Sequence, residues 1–143
     1  MKKIAFVICM LAFAGMVHAA DAGSPRANYM LHCSGCHGVD GSGNPGAGIP
    51  TMVNTLGHFL RVSGGRDFLV QVPGTSQSAL PDDAVAELLN WILEQFSPGQ
   101  VPSGAPPYST KEVARLRSQP LDDAPAFRTA IVGQLKSIGI GIE

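Results

Sequence analysis

Cys33-Ser34-Gly35-Cys36-His37 decides how this chain is read. Two thiols three positions apart, followed at once by an imidazole, form the C-x-x-C-H attachment signature of a c-type haem. Each thiol can make a thioether bond to one vinyl group of the same porphyrin. The adjacent histidine then lies under the iron as proximal ligand. The motif occurs once, so one covalent haem c is expected, held by Cys33, Cys36 and His37. Other uses of the pair fit less well. A structural disulfide or a thioredoxin-like redox pair has no need of His37, and the redox pair also wants a strand and a βαβ context. Zinc would need two further ligands at paired spacing, and the sequence has no second C-x-x-C.

The first twenty residues read as a secretory signal peptide. Lys2 and Lys3 make a charged start, an apolar run follows over 4–16, and Val17-His18-Ala19 or His18-Ala19-Ala20 offers a small-residue cleavage site. The run is shorter than the ~20 apolar residues of a membrane span, so stable membrane insertion is not expected; a retained anchor helix is the competing reading. Cys9 leaves with the leader. Export to the periplasm agrees with thioether attachment. The formal net charge is −1, and loss of Lys2 and Lys3 makes the rest more acidic. No basic patch or stripe is visible, which argues against a nucleic-acid partner.

The remaining chain is one small domain that reads as all-α with glycine- and proline-rich loops. Such a domain buries little surface for its size, so a covalent haem would supply part of its core. A helix is expected over 25–36, with Ser24 as cap and Pro25 in the first turn, and with Ala27, Met30, Leu31 and Ser34 on one face. Residues 38–50 are loop, with glycines at 38, 41, 43, 46 and 48 and Pro45. Short helices are expected over 56–62 and 67–72, the second closed by Pro73-Gly74. The strongest helical pattern is 81–96, where Ala84, Val85, Leu88, Leu89, Ile92 and Phe96 form an apolar stripe.

Taken together, a helix ending in C-x-x-C-H, the segment Cys36-His37-Gly38-Val39-Asp40-Gly41-Ser42-Gly43, the turn Gly48-Ile49-Pro50-Thr51-Met52 and a late helix with a central aromatic resemble the class I monohaem cytochromes c. The resemblance covers roughly 25–96. It implies that the first and last helices cross above the haem pocket. It also implies that the Pro50 carbonyl accepts the proton of His37 Nδ1, fixing the tautomer of the ligand.

The sequence departs from that family at the sixth iron ligand. Members usually carry a methionine in a Met-Pro segment before the last helix, and here Val72-Pro73 stands in that place. His58 is the first expectation for the distal ligand, and Met52 is the alternative, with core filler as its other use. An open site is the third possibility. The choice bears on function, because a thioether raises the potential of the iron and an open site admits exogenous ligands.

Phe59, Leu60, Phe68 and Leu69 are expected around the haem, Trp91 and Tyr29 as packing partners, and Arg61 or Arg66 either on a haem propionate or solvated. The resemblance leaves the tail unexplained. Ser109 and Glu112 form a capping box, and Asp122 or Asp123 opens a second helix through Ala126, Phe127, Ala130, Ile131 and Leu135. These helices either pack back over the domain or dock a partner. The expected organisation is therefore a signal peptide at 1–20, a small cytochrome c-like helical domain around a covalent haem at 21–97, and a proline-rich linker with a helical extension at 98–143. The expected function is that of a periplasmic single-electron carrier between a redox-protein donor and acceptor, not an enzyme. Two alternatives stand beside it: a five-coordinate haem protein that binds a gas or peroxide, and the haem subunit of a periplasmic dehydrogenase.

Overall fold

A computed structural model describes residues 23–142; the expected signal peptide lies outside them. Among the described residues the chain is all-helical, with no strand and one isolated antiparallel bridge between Asn44 and Ile49.

The chain enters its first helix as its sequence dictates. Ser24 Oγ accepts from the Ala27 amide at 3.3 Å, and Pro25 occupies the first turn. The single helix expected over 25–36 is two, α1 (Pro25–His32) and α2 (Ser34–His37), with the break at Cys33. The buried face also differs from the expected one. Met30 and Leu31 are 39% and 78% exposed, whereas Asn28 and Tyr29 are buried. Tyr29 takes the inward place because its hydroxyl donates to the Gly38 carbonyl at 2.6 Å, so the ring is buried with its polar end satisfied.

The late helix α6 (Asp82–Phe96) carries Asp82 and Asp83 in its first turn, where negative charge favours the helix dipole. Every residue of its expected apolar stripe is buried. Helix α1 packs against α6. The Tyr29 ring lies 5.5 Å from Trp91 and 5.0 Å from Phe96, at tilts that suit ring quadrupoles.

Between them lie a one-turn 3-10 helix (Pro45–Ala47), within the stretch expected to be loop, and three short α-helices: α3 (Leu56–Phe59), α4 (Gly65–Gln71) and α5 (Pro73–Ser76). Pro73 closes α4 as expected and then opens α5, since proline suits a first turn. At Gly57, α3 runs hard against the segment after α6: a Cβ there would lie 2.5 Å from the Val101 amide nitrogen.

The tail forms α7 (Thr110–Arg117) and α8 (Ala124–Ser137). Ser109 Oγ caps α7 by accepting from the Glu112 amide, and the Asp123 carboxylate caps α8 by accepting from the Ala126 amide. Both helices pack back. Helix α7 lies on α6 and α4, and α8 on α4 and α3. Val113, Leu116, Ile131 and Leu135 join the same buried cluster as Tyr29 and the α6 stripe, whereas Phe127 is 54% exposed. Polar fastenings reinforce this. Arg66 grips both Glu112 oxygens at 2.6 and 2.8 Å and the carbonyls of Pro106 and Pro107. Asn90 and the Tyr108 backbone exchange two hydrogen bonds, at 2.7 and 3.0 Å. Arg117 donates to the carbonyls of Ser76, Ser78 and Leu80 and pairs with Asp82 at 2.7 Å, pinning the turn between α5 and α6.

Candidate haem-binding site

Cys33, Cys36 and His37 share the wall of one cavity of about 600 Å³. The local backbone brings them together. Cys33 sits between α1 and α2, and its carbonyl accepts from the amides of Cys36 and His37 at 3.2 and 3.0 Å. One helical turn therefore presents both thiols on the same side, since residues three apart are neighbours on a helix. Neither thiol is in a disulfide. Burial, and secondarily the neighbouring Cys36, push the Cys33 thiol above its ordinary pKa.

His37 is oriented from behind. Its Nδ1 lies 3.3 Å from the Pro50 carbonyl oxygen. A carbonyl only accepts, so Nδ1 carries the hydrogen and Nε2 keeps a free lone pair. That is the tautomer a metal-bound imidazole needs. Burial holds the ring's pKa below the ordinary histidine value, opposed by the Pro50 bond. The Pro50 carbonyl is in turn held close to Gly43, whose φ is +67° and where a Cβ would lie 2.5 Å from that oxygen. Only glycine satisfies both the backbone angle and the contact.

The rest of the wall is mainly apolar. Phe59, Phe68 and Leu69 line it as expected, joined by Val72 and by Leu88 and Ile92 of α6; Leu60 packs on the core instead. Two free thiols three positions apart, an imidazole with its lone pair freed, and an apolar enclosure are the donor set and surroundings that a covalent haem requires. These residues fit the group.

Other expected residues lie in different places. Met52 lines the cavity. His58 is not among the described residues that line it. On α3 the cavity is faced by Leu56 and Phe59, and at 3.6 residues per turn position 58 projects from a different side. Its Nδ1 is buried without a hydrogen-bond partner, and burial, then Arg61, lower its pKa. Arg66 does not reach the cavity wall, being engaged with the tail, and Arg61 Nε donates to the Gln100 carbonyl. Sequence reasoning missed the contribution of α8, which places Ala124, Pro125, Arg128 and Thr129 on the wall. Their spacing is that of one helical face, a signal that the exposed apolar Phe127 obscured. Burial lowers the pKa of the Arg128 guanidinium.

No protein-family model matches the chain. A cytochrome c-552 of Thermus thermophilus is 28% identical over 130 residues, covering 78% of this chain and 87% of its own length. A second cytochrome c-552 from the same species is 28% identical over 113 residues, covering 66% of this chain and 86% of its own. The chain is similar to these cytochromes c over most of its length. Its all-helical fold around Cys33, Cys36 and His37 is that of a small cytochrome c-like domain. A match over 78% of the chain is longer than the part up to Phe96, so the likeness to a cytochrome c reaches into the tail.

Proposed function

We propose that this protein carries one haem c on Cys33 and Cys36, ligated by His37, and works as a single-electron carrier in the periplasm. The carrying observation is the His37–Pro50 contact beside two free thiols on one apolar cavity. The two cytochrome c-552 relatives support the same reading. When bound, haem supplies an iron that cycles between ferric and ferrous states with one electron gained or lost. The chain's own residues do the rest. Cys33 and Cys36 prevent loss of the group, Pro50 orients His37, and Phe59, Phe68 and Leu69 keep water away. Arg128 brings to the wall a positive charge of the kind that pairs with a carboxylate. Cys36 is exposed, so redox-protein donors and acceptors would meet the haem edge on its side. The protein itself makes or breaks no substrate bond in this role.

Acid–organic extraction followed by a pyridine haemochrome spectrum tests the attachment. Colour should stay on the protein, and Cys33→Ser with Cys36→Ser should give no stable holoprotein. Full release of haem from the unmodified protein would overturn the reading. The purified protein should take up one electron reversibly in a redox titration. Fractionation should place it in the periplasm with an N-terminus near Ala20 or Asp21. Recovery in the detergent-solubilised membrane fraction alone argues for the anchor. Stoichiometric co-purification with a dehydrogenase would make it that enzyme's subunit.

A further inference from the structure

Two parts of the cavity wall, beside those from α6 and α8, are unlike. Helices α1 and α2 and the loop after them build one. Here residues 50–52 are tied to the His37 loop: Pro50 accepts from His37, the Met52 amide donates to the Gly41 carbonyl at 2.8 Å, and Thr51 Oγ1 donates to the same carbonyl at 3.3 Å. Helices α4 and α5 and the turn after them build the other, with Phe68, Leu69, Val72, Thr75 and Ser78 on the wall. Helix α4 packs on α3, α5, α7 and α8, whereas α2 packs on α1.

A sixth ligand must approach iron from the face opposite His37. Among the described lining residues, the α4–α5 side offers no imidazole, thioether or thiolate. Valine cannot donate to a metal, and a neutral hydroxyl is a poor donor to ferrous iron. His32 and Met52 line the cavity, but the first precedes Cys33 and the second is fastened to the His37 loop. His58 projects from a different side of α3.

We propose that the protein leaves the sixth position of its haem iron open, and that this position, on the α4–α5 side, is a binding site for a small neutral diatomic ligand of the carbon monoxide or nitric oxide class. Binding is dative: the ligand gives a lone pair to ferrous iron, no bond breaks and no electron is lost. The apolar Phe68, Leu69 and Val72 favour a neutral ligand over an anion, which would have to shed its hydration. Arg117, by holding the carbonyls of Ser76, Ser78 and Leu80, keeps the turn of this wall in place. The inference rests on the haem reading of the cavity, and its test separates the two.

The pyridine haemochrome of the full-length mature holoprotein comes first; absence of covalent haem defeats the haem reading itself. With haem present, ferric electron paramagnetic resonance should show a high-spin signal, and carbon monoxide added to the reduced protein should shift the Soret band with one ligand bound per haem. Val72→Met should supply the missing thioether, convert the iron to low-spin and abolish carbon monoxide uptake. A low-spin spectrum in both oxidation states with no carbon monoxide shift overturns the open site. In that case conversion to high-spin by His58→Ala, or by Met52→Leu, names the internal ligand. An unchanged spectrum and unchanged uptake in folded, haem-loaded Val72→Met would remove Val72 from the iron's open face and overturn the assignment of this wall.

Discussion

Arg66 and Glu112 meet in a two-pronged ion pair, at 2.6 and 2.8 Å, across 46 positions of the chain. The guanidinium also lies over the Tyr108 ring, 4.1 Å from its centre, and the Tyr108 hydroxyl returns to the Arg66 carbonyl at 2.8 Å. A planar fork suits this arrangement, and lysine could not reproduce it. This knot is one of several polar joints between the tail and the rest of the molecule, beside those of Asn90 and Arg117.

That knot predicts a pH dependence. The Arg66 hydrogen bond holds the Glu112 carboxyl below the ordinary glutamate value, with burial opposing. A carboxylate whose native pKa is depressed adds stability above its unfolded value, roughly pH 4.3. That contribution is lost as pH falls through the native value. Glu112→Gln should cost about 1–2 kcal/mol at neutral pH. Urea unfolding of both proteins from pH 7 to pH 3 should show the difference shrinking on the acid side. A difference that stays constant over that range would show that the stabilisation does not come from the ionised pair.

Gly43→Ala should act on His37 without touching it. The added methyl group presses on the Pro50 carbonyl and demands a φ that alanine disfavours. The expected result is a folded protein with a weakened imidazole bond to Pro50. It should be read as a shifted reduction potential and altered ligand-field bands, with little change in far-ultraviolet circular dichroism.

Leu116 tests the tail. It is fully buried in the common core, so Leu116→Ala should destabilise the whole molecule by about 2–5 kcal/mol. One cooperative transition, shifted to lower denaturant and followed identically by circular dichroism and by haem absorbance, would mark the tail as part of one folding unit. Two separate transitions would contradict this.

Tyr29→Phe removes the donor to the Gly38 carbonyl and leaves the ring packing in place. Burial pushes the Tyr29 hydroxyl pKa up to about 12, so the group donates throughout the working pH range. The loss should be about 1 kcal/mol in denaturant unfolding. A neutral result would show that water replaces the phenol at Gly38.

Much of this was legible because the signals are local. The haem motif is five adjacent residues. Ser24, Ser109 and Asp123 announce helix starts through bonds to residues three positions on, and the α6 stripe is periodic over a long run. What escaped depends on distant partners. Nothing near Arg66 points to Glu112, so a propionate was an equal use for it. On α1, hydrophobicity favoured Met30 and Leu31, but burial went to Tyr29, whose hydroxyl needed the Gly38 carbonyl. The spacing of 124, 125, 128 and 129 marks one face of α8, but the share of that face in the cavity wall follows from how α8 lies on α3 and α4.

That share of α8 fixes an order of events. Cys33, Cys36 and His37 lie near the start of the described chain and the 124–129 wall near its end. Contacts so far apart in sequence cannot form until both segments exist and the loop between them is closed. A chain emerging from its N-terminus presents Cys33, Cys36 and His37 while the last side of their enclosure does not yet exist. The thiols are accessible to attachment chemistry during that interval, and the final helix shuts the enclosure behind whatever has been attached.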